Sequence, residues 1–140
     1  MNGAPNREQR IAAYGLLIDG DLVLMVQAGE RSDVPGRWFL PGGGVDHGED
    51  PVETVQREFL EETGLAVAVG EVVGVWSEMI EASVRGVEVH AVSIVYEIVS
   101  WTGEMAGSPD DASEKAAWQP VADDDESRMR FVRSALRARP

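Results

Sequence analysis

The sequence predicts an α+β fold or an α/β/α sandwich, because strands and helices mix along it. Apolar, β-prone runs and amphipathic helical segments alternate along its 140 residues without a strict strand–helix–strand repeat. Hydrophobic residues make up 44% of the chain, and no internal repeat or low-complexity linker divides it. We therefore expect a single domain, residues 1–140, with a substantial hydrophobic core.

The N-terminal part is predicted to be rich in strands. Residues 11–18 and 22–27 are apolar runs, and Asp19-Gly20 between them is a strong signal for a β-hairpin. Residues 28–37 are polar and are expected to form a loop. A strand is expected at 38–40, and it is short because a proline and three glycines follow it.

Residues 51–63 are predicted to form a helix with clear ends. Asp50 suits the N-cap position, Pro51 suits the first helical position, and Gly64 provides the C-terminal stop.

The remaining chain contains two long strand patterns and a second helix. Strands are expected at 66–78 and 87–100, a polar loop at 102–114, and a short apolar piece from Trp118. The last helix is expected at 125–138. Its buried side is predicted to carry Met129, Val132, Ala135 and Leu136.

Composition excludes several classes of function. The chain has no cysteine, which excludes disulfides, a thiolate nucleophile and a cysteine zinc site. A formal net charge of −13 disfavours nonspecific binding to duplex nucleic acid. Neither a signal-peptide pattern nor an apolar run of membrane-spanning length is found, so a cytoplasmic protein without membrane partners is expected.

The first helix presents an acidic face. On a helical wheel Val52, Val55 and Phe59 share one side, with Leu60 at its edge, and that side is expected to pack on the sheet. Glu58, Glu61 and Glu62 fall within an arc of about 100° on the opposite side. Such a cluster is ordinarily a solvated surface whose charges repel. A shared Mg²⁺ ion, which prefers oxygen ligands, would instead turn this repulsion into binding.

The segment Pro41-Gly42-Gly43-Gly44 precedes this helix. Its glycines can bring carbonyl oxygens close to a metal ion or amides close to a phosphate. It lacks the Lys-Ser/Thr ending of a Walker A loop, which excludes a P-loop.

The segment from Gly43 to Leu65, GGVDHGEDPVETVQREFLEETGL, resembles the Nudix box. The matching positions are Gly43, Glu49, Arg57, Glu58, Glu61, Glu62, Gly64 and Leu65. Phe59 takes an apolar position at which an aliphatic residue is usual. The resemblance implies the Nudix fold, a mixed β-sheet between helices, with the box as a loop–helix–loop. It also implies hydrolysis of a nucleotide diphosphate linkage by water attack at phosphorus, with Mg²⁺ or Mn²⁺ as cofactor.

The resemblance also assigns roles to residues. Glu58 and Glu62 look like the main metal ligands, Glu61 like a further ligand or a catalytic base, and the carbonyl of Gly42 like another ligand. Members of the family often recruit one more carboxylate from a later loop. The candidates here are Asp110, Asp111 and Glu114.

Among the supporting residues, Arg57 would orient the glutamates and Glu49 would support the metal shell and the helix. Arg31 and Arg37 could bind substrate phosphates, although an exposed loop position explains them as well.

Five further features have mainly structural explanations. Trp76 and Trp101 are expected to pack in the core rather than stack on a base. His47 is expected to be a polar loop residue, with proton transfer as the alternative, and His90 is expected to be structural. The run 123–125 is expected to cap the last helix rather than bind metal.

The leading hypothesis is an active pyrophosphohydrolase acting on a nucleotide. The alternatives are a Nudix-fold module that senses a nucleotide without cleaving it, and an acidic interaction protein. Nucleoside triphosphates, nucleotide sugars and ADP-ribose all remain open as substrates. Because dimers are frequent among relatives, a homodimer is possible and the oligomeric state stays open.

Overall fold

The computed structural model describes residues 6–81, 86–105 and 115–139. These ranges contain eight strands and two helices, in the order β1 (Asn6–Leu16), β2 (Ile18–Asp19), β3 (Leu22–Gln27), β4 (Trp38–Phe39), β5 (Gly42–Gly44), α1 (Pro51–Thr63), β6 (Ala66–Ile80), β7 (Val87–Thr102), β8 (Lys115–Pro120) and α2 (Arg130–Ala138).

The strands form two sheets. The larger has the order β5-β1-β7-β6; β1 and β7 run parallel, and the other neighbours are antiparallel. In the smaller sheet β3 pairs antiparallel with β2, β4 and β8. The larger sheet is therefore mixed, as the sequence predicts.

The predicted hairpin is present but short. Ile18 and Asp19 pair with Val23 and Leu22 of β3, and the N–H of Leu24 donates to the carbonyl of Leu17 at 3.0 Å. Asn6–Leu16 of β1 instead pairs with β7, and residues 12–14 also pair with β5. The first apolar run therefore divides between the two sheets at Leu17, and only its end folds back on the second apolar run.

Helix α1 has the predicted ends. The side chain of Asp50 accepts a hydrogen bond from the N–H of Val52 at 2.9 Å. Gly64 ends the helix in the left-handed conformation (φ 80°), and its N–H donates to the carbonyls of Leu60 and Phe59. Both caps satisfy backbone groups that the helix itself leaves unpaired.

Phe59 and Val55 anchor α1 on the sheet and are fully buried. Leu60 is 56% exposed, so the predicted apolar side is narrower than expected. Below Phe59 lies Gly15 of β1, where an added Cβ would stand 2.5 Å from the ring carbon Cε2. The missing side chain at Gly15 leaves the space in which an aromatic ring replaces the usual aliphatic residue.

Helix α2 begins at Arg130, later than the predicted residue 125. The N–H of Trp38 donates to the carbonyl of Ser127, and the N–H of Met129 donates to the carbonyl of Trp38. This pairing with β4 keeps the chain extended at Met129 (ψ 149°) and delays the helix. The predicted apolar residues of α2 are nevertheless buried.

The expected aspartate cap of α2 is also wrong. The side chain of Asp125 accepts from the N–H of Ser127 at 2.8 Å, and Met129, at the N-cap, makes no side-chain capping bond. Trp76 and Trp101 pack against separate buried clusters, which confirms their predicted role in packing.

Candidate functional site

Arg57 lies at the centre of the acidic face of α1. Its Nε and Nη2 donate to the two carboxylate oxygens of Glu49, at 2.9 and 3.0 Å. Its Nη1 donates to Oε1 of Glu58 at 2.9 Å and lies 3.5 Å from Oε1 of Glu61. Asp46 approaches Nη2 at 3.5 Å. One guanidinium thus offsets the repulsion between carboxylates from the loop and from the helix.

Glu49 is the most firmly held of these carboxylates. It also accepts hydrogen bonds from the Thr54 hydroxyl at 2.6 Å and from the N–H of Asp46 at 3.2 Å. The bond from Arg57 is the largest cause, and the Thr54 bond the next, of a lowering of the pKa of Glu49 from 4.5 to about 2. The same contact raises the pKa of Arg57. Glu49 is therefore ionised near neutral pH.

The glycine segment brings the backbone against the same helix face. The N–H of Gly42 donates to Oε1 of Glu62 at 2.9 Å. Gly42 has φ 150°, and a Cβ there would lie 2.2 Å from the carbonyl oxygen of Ala13. At Gly43 an added Cβ would stand 2.9 Å from Oε1 of Glu58. Only residues without side chains allow β5 to lie this close to both β1 and α1.

The acidic face has the donor chemistry of a hard-cation site, because its side chains offer oxygen ligands and Mg²⁺ prefers these. Among the described residues, no group of three His, Asp or Glu side chains is arranged to hold a metal ion. Glu58 is hydrogen-bonded to Arg57, and Glu62 to the glycine segment. The metal roles of Glu58, Glu61, Glu62 and the Gly42 carbonyl stay predictions.

A cleft of about 560 Å³, here called the main cleft, opens beside this face. Glu62, Gly42 and Gly43 line it. Its aromatic residues are Tyr14, Phe39 and Phe131, with ring centroids 4.5 to 6.1 Å apart. Burial is the largest cause that raises the pKa of Tyr14. The cleft is therefore apolar in part and acidic next to α1.

Most residues of this cleft were not predicted from the sequence. Glu8, Arg10, Ala12 and Tyr14, at alternate positions of β1, all line it. Alternation places such residues on one face of a strand, so the pattern was a usable signal. The position of these β1 residues next to the acidic helix could not be predicted from the sequence, because it depends on how the sheet passes beside α1.

The two loop arginines have different environments. Arg31 lines the main cleft, as a phosphate-binding residue would. Arg37 instead donates to the carbonyls of Ser127 and Arg128, both at 3.0 Å, and does not line the cleft. Its environment is that of a residue that holds the chain before α2.

Among the described residues, the other predicted polar side chains make no recorded contact with the acidic face of α1. His47 is exposed, and Nδ1 of His90 lies 3.3 Å from Nε2 of Gln9 on the sheet. The three candidate loop carboxylates, Asp110, Asp111 and Glu114, lie outside the described residues.

Comparison with solved structures supports the fold. A MutT Nudix hydrolase from Burkholderia pseudomallei is 24% identical, with a TM-score of 0.79 over 94% of this chain and 98% of that one. A MutT protein from Bacillus halodurans is 30% identical, with a TM-score of 0.61 over 80% of this chain and 69% of that one. No helix in the described ranges is both long and apolar enough to cross a membrane.

Curated relatives match over different lengths. Nucleoside triphosphatase NudI of Escherichia coli O139:H28 is 31% identical over 104 residues, 71% of this chain and 74% of NudI. Nudix hydrolase 25 of Arabidopsis thaliana is 44% identical over 52 residues, 37% of this chain and 29% of that protein. An RNA pyrophosphohydrolase of Helicobacter pylori (strain G27) is 54% identical over 35 residues, 25% of this chain and 23% of that protein.

The last two matches therefore span less than a third of the relatives concerned. The family model of the NUDIX domain, in contrast, matches residues 8–135, almost the whole chain. The predicted family and fold are confirmed: the chain belongs to the Nudix hydrolase family.

Proposed function

We propose that this protein hydrolyses the diphosphate linkage of a nucleoside diphosphate bonded to another group, with Mg²⁺ or Mn²⁺ as cofactor. The observation that carries the proposal is the position of Glu62. Its carboxylate lines the main cleft and also belongs to the helix face of Glu58 and Glu61. The cleft, at about 560 Å³, has the size of a site for a small organic ligand.

In this proposal Glu58, Glu62, Glu61 and the Gly42 carbonyl hold the metal. A bound divalent ion neutralises phosphate charge and lowers the pKa of a bound water. Water forms a new bond to phosphorus, the anhydride P–O bond breaks, and two phosphate-bearing products leave. Glu61 is 58% exposed at its side chain, so as a base it can exchange the proton with solvent.

Arg57 and Glu49 act in the proposal as positioning residues. The guanidinium links the loop carboxylate of Glu49 to Glu58 on the helix through hydrogen bonds of 2.9 to 3.0 Å. This link limits the rotamers available to Glu58. Preorganised ligands lower the cost of gathering charge around a cation and a phosphate.

The names of two relatives, a nucleoside triphosphatase and an RNA pyrophosphohydrolase, support a phosphate anhydride substrate. The aromatic residues of the main cleft can contact a base or a sugar. Nucleoside triphosphates, nucleotide sugars and ADP-ribose stay within the proposed class. The net charge of −13 favours free nucleotides over duplex nucleic acid. We further propose that the protein is a single domain that acts in the cytoplasm, as a monomer or a homodimer.

The test is product analysis over a panel of these nucleotides with Mg²⁺, for wild type, Glu62→Gln and Glu53→Gln. Glu53 is an exposed glutamate in the first turn of the same helix and serves as the matched control. We expect Glu62→Gln to lower kcat about a hundredfold or more, because it removes a charged ligand. Glu53→Gln should keep nearly normal turnover. A near-normal rate for Glu62→Gln would contradict the proposed role of that residue.

The sensing module is distinguished by the same panel. Saturable binding of a nucleotide without any product, in the presence of Mn²⁺ as well as Mg²⁺, would favour it over the hydrolase.

A further inference from the structure

A second pocket, of about 250 Å³, lies beside α2 and is here called the arginine pocket. Its charged lining residues are Arg128, Arg133, Arg137, Arg139, Asp123 and Asp124. Four arginines against two aspartates leave two positive charges in excess, in a chain whose net charge is −13. Among the described residues, none lines both this pocket and the main cleft. The pocket therefore needs an explanation separate from hydrolysis.

Arg128 is the unusual member of this pocket, because it is only 1% exposed. Its Nη2 donates to the carbonyl of Pro120 at 2.8 Å and to Oε1 of Gln119 at 3.3 Å. Its Nε and Nη1 are buried and have no hydrogen-bond partner among the residues that the structure describes. A buried guanidinium with unmatched donors is costly unless an anion offsets its charge.

Arg133 and Arg137, whose side chains are partly exposed, form the mouth of the pocket, and a carboxylate already lies between them. Asp124 accepts from Nε and Nη2 of Arg133 at 2.7 and 3.1 Å, and it lies 3.8 Å from Nη2 of Arg137. The Arg137 side chain is 66% exposed. Among the described residues, its only ion pair is this longer contact with Asp124. It is thus available to a ligand from solution.

We propose that the arginine pocket binds a small oxyanion of the phosphate class. Guanidinium groups match phosphate oxygens in pairs, and several of them converge here. The volume is below the usual range for a drug-sized ligand, which favours a phosphate or diphosphate group over a whole nucleotide. The bound anion contacts the arginines at the mouth and lowers the electrostatic cost of the buried Arg128.

The experiment is calorimetric titration of the full chain with inorganic phosphate, without divalent metal and at constant ionic strength. We expect saturable binding that Arg137→Gln weakens about fivefold, because one charge-assisted contact is lost. Arg130→Gln is the matched control: Arg130 is exposed on the same helix but does not line the pocket. It should change the affinity less than about twofold. Asp124→Asn should tighten binding, because it removes a competing carboxylate.

Two further arms make the result decisive. A nucleoside monophosphate in place of inorganic phosphate shows whether the ligand is the free ion or the phosphate of a nucleotide. The Nε–H NMR signal of Arg128, assigned by its loss in Arg128→Lys, should shift on titration with phosphate. If Arg128→Lys does not fold, the Arg128 signal is assigned instead from triple-resonance spectra of the wild type.

The proposal is overturned if no saturable binding occurs up to tens of millimolar phosphate. It is equally overturned if Arg31→Gln, in the main cleft, abolishes binding while Arg137→Gln leaves it unchanged. Both results leave the hydrolase proposal intact, because that proposal rests on other residues.

Discussion

Gly15→Ala tests how α1 is seated on the sheet. The added Cβ would lie 2.5 Å from Cε2 of Phe59 and 2.7 Å from Cδ1 of Ile98, closer than side-chain atoms normally approach. Phe59 is fully buried and Ile98 is 7% exposed, so neither can move into solvent. The helix or the strand must shift to admit one methyl group.

The expected magnitude follows from two opposing effects. Inserting a methylene into a packed core costs about 1–3 kcal/mol. Replacing glycine with alanine recovers about 0.4–1 kcal/mol, because the unfolded chain loses freedom. We expect a net loss of about 1–2 kcal/mol in the free energy of unfolding. At about 2.1 cal/mol/K of unfolding entropy per residue, this lowers Tm by roughly 3–7 °C.

Calorimetry and urea denaturation would measure this loss. Gly44→Ala is the control, because the nearest atom to its added Cβ is Nε of Arg10 at 3.4 Å. In the double variant with Phe59→Leu, the smaller side chain should recover part of the loss, so that the two substitutions are not additive. An unchanged or raised Tm for Gly15→Ala, or strict additivity with Phe59→Leu, would refute the steric explanation.

Two other predictions concern the ends and the ion pairs of the box. Gly64→Ala places a side chain at φ 80° and should lower the free energy of unfolding by about 1 kcal/mol. Urea denaturation should show this as a lower midpoint at an unchanged slope. An unchanged midpoint would contradict the left-handed cap. Because the pKa of Glu49 is lowered from 4.5 to about 2, its carboxylate stabilises the folded state above pH 4.5. That contribution is lost as the pH falls from about 4.5 to about 2, and Tm of the wild type should fall more steeply there than Tm of Glu49→Gln. Parallel Tm curves for the two proteins would show that the pair with Arg57 does not stabilise the fold.

Local interactions explain what could be read from the sequence. The ends of α1 depend on Asp50 and Gly64, which act within a few residues of themselves. The acidic face depends on helical periodicity alone, and the box motif identified the family because its spacing lies within one loop and one helix. These features need no knowledge of distant strands.

Features that depend on distant segments could not be read in this way. The first apolar run was expected to pair with 22–27, but only its end does so, and the rest belongs to β1, which pairs with β7 and β5. The start of α2 is delayed by hydrogen bonds to Trp38, about 90 residues earlier in the chain.

The sequence by itself determined the family, the mixed fold class and the carboxylates that share one face of α1. Only the tertiary structure decided which strands lie next to that face, how Gly15 accommodates Phe59, and that Arg128 is buried beside other arginines. The physical reason is range: caps and periodicity act within one helix, whereas packing, burial and charge compensation depend on residues that only the folded chain brings together.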